Sequence, residues 1–208
     1  MLSISYYKFF EFLFIFICLP LLFFYKILPP FFIIPILWIL TFYIIYITSV
    51  GSSKVIFDKI EKSDLYYVLK RFFYFACFLF IFTYIFYEDR LFNFILEKPK
   101  VFIFVLFLYP ILSVIPQELI FRKFFLFRYK LIFRKEALII LNALVFSFIH
   151  IIFQNYIAVL FSLVGGYIFM KTYIESKSFT LVCIEHSLYG NFIFTVGLGE
   201  FFYHGNIT

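Results

Sequence analysis

Charged residues are scarce in this sequence. They make up 14% of its 208 residues, whereas about a quarter of an ordinary soluble domain is charged. Hydrophobic residues account for 65% of the chain and aromatic residues for 27%. A chain of this composition cannot bury its apolar side chains in one soluble core, so a multi-spanning membrane protein is predicted. The net charge of +6 arises between the apolar runs, which argues against nucleic acid as a partner.

The motifs of several enzyme classes are missing as well. The sequence contains no HExxH zinc pair, no GxSxG serine elbow and no P-loop. Its three aspartates, Asp58, Asp64 and Asp89, fall in the connections between apolar runs, which excludes an intramembrane aspartate pair. The three cysteines lie inside apolar segments without paired or metal-like spacing, as expected of small buried hydrophobic residues.

What the sequence does contain is a series of long apolar runs. A helix needs about 20 apolar residues to cross the hydrocarbon, and runs that are apolar on every face do not fit a strand barrel. We therefore predict an all-α, polytopic bundle of about seven transmembrane helices that forms one integral membrane domain over residues 1–208. The predicted spans are Phe9–Tyr25, Pro30–Val50, Phe72–Tyr87, Val101–Ile120, Ala137–Phe153, Tyr156–Met170 and Phe179–Leu198.

The connections between these spans carry an unequal charge. With a cytoplasmic N-terminus, fourteen lysines and arginines lie on the cytoplasmic side and four on the other. Because cytoplasmic loops are enriched in lysine and arginine, this distribution predicts seven spans with the C-terminus outside.

One carboxylate and two imidazoles interrupt the apolar runs: Glu118, His150 and His186. An ionisable group at the centre of a membrane helix costs roughly 2.5–3.5 kcal/mol on insertion scales, so such residues indicate a function by default. We predict that the three side chains meet in one water-containing cavity. Together they would supply the chemistry of a hydrolase.

Two of these residues have neighbours at helical spacing. Glu118 and Arg122 are four residues apart and can pair, either within a functional site or as a structural ion pair. Asn142, Phe146 and His150 also share one helix face, which is predicted to look into the bundle.

The third residue, His186, has an ionisable neighbour. Glu185 and His186 point about 100° apart on a helix, so only one of them needs to face the centre. The structural alternative for Glu185 is pairing with a lysine near the cytoplasmic side.

The depth of these residues poses a geometric problem. If Val101–Ile120 is a simple span, Glu118 lies near the cytoplasmic face and His150 lies about 20 Å from it. The two side chains could not then meet. We therefore predict that the helix that bears Glu118 lies deeper, over about Leu106–Leu126, or bends at Pro116.

Taken in order, these residues resemble the motifs of the CPBP family of intramembrane proteases, which includes the CAAX prenyl endopeptidases. The motifs are Glu-Glu-x-x-x-Arg, Phe-x-x-x-His and His-x-x-x-Asn on successive membrane helices. Here the matching residues are Glu118 with Arg122, Phe146 with His150, and His186. The resemblance extends over residues 108–205 and implies a catalytic core within residues 101–205.

Two positions depart from the pattern of the family. Gln117 occupies the first glutamate position, which the family uses as the catalytic one, and Gly190 occupies the asparagine position. Asn191 follows one residue later and lies about 140° from His186 around a regular helix. It would join the site only if the helix is distorted near Gly190.

The resemblance implies hydrolysis of a peptide bond in a hydrophobic or lipidated peptide or protein, within a prokaryotic cytoplasmic membrane whose lipid surrounds the protein. Glu118 would activate a water as general base, while His150 and His186 would hold the water or stabilise the oxyanion. In the alternative, the same three residues ligate Zn²⁺ and Glu185 is the nearby spare carboxylate that acts as base.

Two other functions stay open at this point. One is a non-catalytic protein of the same fold, which binds a lipidated peptide or confers bacteriocin immunity. The other is a small proton-coupled transporter that uses the buried histidines.

Overall fold

The computed structural model describes residues 6–50 and 58–203, and every regular element within them is helical. The predicted all-α fold is thus confirmed. Residues 51–57, which contain Lys54 and belong to the connection between the second and third predicted spans, lie outside the described residues. So do residues 204–205, the end of the predicted catalytic core. The helices are α1 Tyr6–Phe24, α2 Pro30–Thr48, α3 Lys62–Phe86, α4 Asn93–Glu97, α5 Pro99–Tyr129, α6 Lys135–Phe153, α7 Tyr156–Ser176 and α8 Phe179–Thr195.

Six of these helices are long and apolar enough to cross a membrane, namely α1, α2, α3, α5, α6 and α7. The seventh predicted span corresponds to α8, which has 17 residues and therefore a length of about 25 Å. Much of α8 is buried inside the protein, including Glu185 and His186. The number of spans and the side of the N-terminus stay predictions.

Helix α3 begins at Lys62 instead of at the predicted Phe72, and α5 also departs from its prediction. Instead of ending at Ile120 it continues to Tyr129, through Pro110 and Pro116. The prolines remove backbone donors, and the helix accommodates this with two wider π-helical turns, Pro110–Val114 and Leu119–Phe124, without a break in the chain of helical turns. The expectation of a Glu118-bearing helix that extends beyond Ile120 is therefore right.

The longer α5 corrects the charge count. The count treated Arg122, Lys123 and Arg128 as loop residues, but all three lie inside α5, and Arg122 is completely buried. The count placed them in a loop because the predicted span ended at Ile120. The bias toward one side remains without them.

The chain divides into two compact units. The first comprises Met1–Lys54 and Gln117–Lys171, and the second Val55–Pro116 and Thr172–Thr208. A single domain over residues 1–208 stays a prediction.

Aromatic packing forms the interior of the first unit. Phe16 of α1 is fully buried and packs edge-to-face against Phe121 and Phe125 of α5. The ring of Phe121 also packs against Phe146 of α6. Gly166 of α7 permits close approach to α6, since a Cβ there would lie 3.0 Å from the Ala143 Cα.

In the second unit, α8 packs against α3 and against the first half of α5. Phe75 of α3 stacks on Tyr189 of α8, with ring centroids 4.3 Å apart. Tyr109 of α5 packs edge-on against Phe194 of α8 at 5.5 Å. Both contacts hold α8 by rings that are rigid and large, so its register against the neighbouring helices is well defined.

Candidate active site

The carboxylate of Glu118 and the guanidinium of Arg122 form an ion pair in the first unit. The Arg122 Nε atom lies 2.9 Å from the Glu118 Oε2 atom, and both side chains are 0% exposed. The four-residue spacing predicted this pair. Because both charges are removed from solvent, each depends on the other and on further polar groups to offset its desolvation.

Asn142 of α6 supplies such a group. The Arg122 Nη1 group donates a hydrogen bond to the Asn142 Oδ1 atom, and the Asn142 Nδ2 group donates to the Phe121 carbonyl. The Arg122 guanidinium also lies over the ring of Phe146, 4.6 Å from its centroid. Asn142 and Phe146 thus orient Arg122, and Arg122 in turn holds the carboxylate of Glu118.

His150 follows Phe146 by one turn, where α6 tightens into a 3₁₀ turn. Its Nδ1 atom lies 2.6 Å from the Phe146 carbonyl oxygen. A carbonyl only accepts hydrogen bonds, so Nδ1 is the donor and carries the proton. In the neutral imidazole, Nε2 therefore has the lone pair. The predicted face of Asn142, Phe146 and His150 is buried at all three positions.

The register of α5 and α6 removes the predicted problem of depth. The two helices run antiparallel across the short connection 130–134, with Arg122 beside Asn142. One turn back along α5 reaches Glu118, and one turn forward along α6 reaches Phe146. His150 then lies about 6 Å further along the helix axis, instead of the 20 Å that a short span would impose.

His186 lies in the second unit, on α8, and is buried. The Tyr109 hydroxyl of α5 and the His186 Nε2 atom are 3.1 Å apart, and the two rings are T-shaped. Tyr109 was not among the site residues predicted from the sequence. Its one signal is its place directly before Pro110, where a change in the helix was to be expected.

Asn191 lies on the same helix but contacts a different group. Its Nδ2 group donates a hydrogen bond to the Leu106 carbonyl at 3.2 Å. In a regular α-helix, residue 110 would donate to that carbonyl, but Pro110 has no N–H. Helix α8 continues through Gly190 without the distortion that would turn Asn191 toward the face of His186.

Glu185 is wholly buried and makes an ion pair across helices. The Arg71 guanidinium of α3 lies 2.6 Å from the Glu185 Oε1 atom, and the Thr172 hydroxyl donates to the Oε2 atom, also at 2.6 Å. A lysine was the predicted partner, whereas the observed partners are Arg71, which is 114 residues away, and Thr172 on the preceding helix. No local pattern could have identified them.

A further buried ion pair in the first unit was missed. Glu11 of α1 and Arg128 of α5 are joined by two contacts of 2.9 Å, and the Tyr43 hydroxyl of α2 donates to Glu11 at 2.8 Å. Like Glu118, Glu11 interrupts a run of apolar residues, which was the available signal. The cluster connects three helices and is a structural contact.

The described residues contain no ligand set for zinc. No three His, Cys, Asp or Glu side chains there form a group that could hold a metal ion. We therefore assign no step to a metal.

Residues 99–193 match the family described as Type II CAAX prenyl endopeptidase Rce1-like. The matched segment contains Glu118, Arg122, His150 and His186, and it confirms the predicted resemblance to the CAAX protease family. No curated protein and no solved structure matches the chain. The molecule is an integral, multi-pass membrane protein, and a segment of it matches a protease family.

Proposed function

We propose that the protein is an intramembrane endopeptidase that cleaves a prenylated or otherwise hydrophobic protein substrate. One observation carries the proposal. Within a segment that matches a protease family, a wholly buried carboxylate is held by an arginine on the same helix, about one turn from a histidine with a protonated Nδ1. A structural ion pair alone would not require the histidine.

In the proposed reaction, Glu118 takes a proton from a water molecule as the water oxygen attacks the scissile carbonyl. His150 accepts a hydrogen bond from the attacking water at its Nε2 lone pair, and His186 stabilises the oxyanion of the tetrahedral intermediate. The intermediate collapses with cleavage of the C–N bond, and the proton held by Glu118 passes to the leaving amine. Convergence of His186 with Glu118 and His150 is part of this proposal.

Each supporting residue acts on one member of this set. Arg122 holds the carboxylate of Glu118 in place through the ion pair of 2.9 Å. Phe146 contributes a carbonyl that holds the His150 ring and a π-face that holds Arg122.

The test is a cleavage assay of the purified protein in liposomes. The substrate is a quenched fluorescent peptide that ends in a prenylated Cys-a-a-X sequence. We expect release of the tripeptide by the native chain and a loss of at least about 100-fold in kcat for Glu118→Gln and for His150→Ala. Turnover that survives both substitutions would remove the proposal.

Gln117 favours a second candidate, a non-catalytic membrane protein that binds the same class of peptide. The glutamate that the family uses for catalysis is absent at this position, and Gln117 lies directly before the buried pair of Glu118 and Arg122. If this candidate is right, the native chain binds the prenylated peptide without cleaving it, whereas Gln117→Glu gains turnover. A native chain that cleaves the peptide excludes it.

A further inference from the structure

We propose that Tyr109 is a positioning residue for His186, and that Gly190 is the position that admits it. Three observations on the second unit support this: the hydrogen bond of Tyr109 to His186, the space above Gly190, and the anchoring of α5 just before Tyr109. The inference rests on the proposed function for its consequence in catalysis.

The hydrogen bond fixes the imidazole. An isolated histidine on a helix can turn its ring about χ2, which changes the place of both ring nitrogens. The Tyr109 hydroxyl lies 3.1 Å from the His186 Nε2 atom, and the rings stand at 79° to each other. The hydrogen bond at the Nε2 atom and the edge-to-face contact therefore both restrain the ring of His186.

Gly190 explains how a tyrosine reaches this place. It lies one turn after His186 on α8, and a Cβ at Gly190 would overlap the hydroxyl and the ring of Tyr109. Any side chain at residue 190, including asparagine, would displace the tyrosine. Tyr109 and Gly190 thus form a matched pair in which the ring from α5 fills the volume that α8 leaves open.

The ring of Tyr109 is held on its other sides too. Phe194 of α8 packs edge-on against it. One turn earlier on α5, the Leu106 carbonyl accepts the hydrogen bond from Asn191, which ties the two helices together at this level. The π-helical turn then begins at Pro110. Tyr109 is therefore rigid enough to impose an orientation on His186 instead of following it.

Tyr109→Phe is the decisive variant because it removes only the hydroxyl and keeps the ring in place. Tyr84→Phe is the matched control, since Tyr84 belongs to the same unit and is 55% exposed on α3. Both proteins are made with ¹⁵N-labelled histidine, and the ring nitrogen resonances of His186 are assigned by their loss in His186→Ala. This measurement does not depend on turnover.

We expect the His186 Nε2 resonance to move in Tyr109→Phe and to stay in place in Tyr84→Phe. Gly190→Ala should move it in the same direction, because the added methyl group displaces the tyrosine. Gly165→Ala is the control for a methyl group added to a glycine, since the three nearest atoms to a Cβ at Gly165 all belong to the ring of Phe169. An unchanged Nε2 resonance in Tyr109→Phe would overturn the inference.

The activity assay separates this inference from the proposed function. With prenylated peptide, Tyr109→Phe should lower kcat by about 3- to 10-fold, the value of one hydrogen bond, and leave KM unchanged. Tyr84→Phe should leave both constants unchanged. If the native chain cleaves nothing but the resonance moves as expected, the peptidase proposal fails while the role of Tyr109 in orienting His186 stands. Cleavage with equal kcat in Tyr109→Phe and Tyr84→Phe would contradict the role in catalysis.

Discussion

Among the residues that the structure describes, each unit contains one wholly buried carboxylate, and the two carboxylates have different kinds of partners. Glu118 in the first unit pairs with Arg122 on its own helix, and neither side chain is exposed. Glu185 in the second unit pairs with Arg71, which is distant in sequence and 34% exposed. Glu185 also accepts a hydrogen bond from Thr172, so that its contacts connect three helices.

This difference indicates what each carboxylate contributes. An acid that cross-links separate helices through a partly exposed arginine stabilises their packing. An acid whose partner is four residues away adds little to the packing of one helix against another, yet its charge is kept deep in the protein. Burial alone therefore does not identify a catalytic acid, and the neighbourhood of each pair has to be compared.

The largest expected difference is in activity. We expect Glu118→Gln to lower kcat by about 10²- to 10⁴-fold, because the amide cannot take a proton from water. Glu185→Gln should retain at least about a third of the activity per folded molecule, since its contacts are with Arg71 and Thr172. The liposome assay with prenylated peptide measures both, and equal losses in the two variants would break the distinction.

The next difference is in stability. Arg122→Met leaves the carboxylate of Glu118 buried without its cation, and removal of one partner of a buried pair costs about 3–5 kcal/mol. Arg71→Met should cost less, because its partly exposed position lets water replace part of the interaction. Unfolding of the two variants in detergent, followed by the free energy of unfolding, gives the comparison. If Arg71→Met loses more unfolding free energy than Arg122→Met, the conclusion that the pair of Glu118 and Arg122 depends more on burial is wrong.

The third difference concerns the role of Glu185 itself. Glu185→Gln removes the charge and replaces one of the two oxygens that accept from Arg71 and Thr172 by an NH2 group, which only donates. We expect a loss of about 1.5–3 kcal/mol in the free energy of unfolding, the range for a hydrogen bond to a charged group. Thr172→Val provides the comparison, since it removes the hydroxyl that donates to Glu185 and accepts from Arg71 but leaves the ion pair of Glu185 with Arg71. A loss in Thr172→Val that exceeds the loss in Glu185→Gln would contradict the ion pair as the main contribution.

Local spacing made part of this arrangement predictable. The pair of Glu118 and Arg122 and the shared face of Asn142, Phe146 and His150 both follow from helical periodicity within one segment. The apolar runs likewise predicted the long helices and their approximate positions, with the exceptions of the start of α3 and the end of α5. Prolines and charges in α5 suggested an end that the structure replaces with wider turns.

Contacts between distant segments were not predictable in the same way. Arg71 and Glu185 are 114 residues apart, and Tyr109 and His186 are 77 residues apart. Nothing in the spacing of one helix specifies which residue of another helix will face it. In both cases the partner is an ordinary residue of a membrane protein, an arginine of α3 and one tyrosine among 17.

The smallest expected effect comes from an acid at the end of α8, outside the membrane-spanning segments. Asp58 accepts hydrogen bonds from the Ser178 hydroxyl and from the backbone N–H groups of Phe179 and Thr180. Partial burial alone would raise the pKa of the Asp58 carboxyl, but these hydrogen bonds outweigh it and hold the pKa below its usual range. Asp58 thus stabilises the first turn of α8 by accepting these hydrogen bonds.

We expect Asp58→Ala to lower the free energy of unfolding by about 1 kcal/mol, as for loss of a helix cap. Because the folded pKa is the lower one, the contribution is complete above the ordinary aspartate pKa of about 4 and is lost as the pH falls through the folded value. Native protein and Asp58→Ala should therefore differ at pH 7 and converge as the pH falls through the folded pKa of Asp58. Asp64→Ala is the control, and a difference between native and Asp58→Ala that persists at low pH would show that the carboxylate is not what stabilises this end of α8.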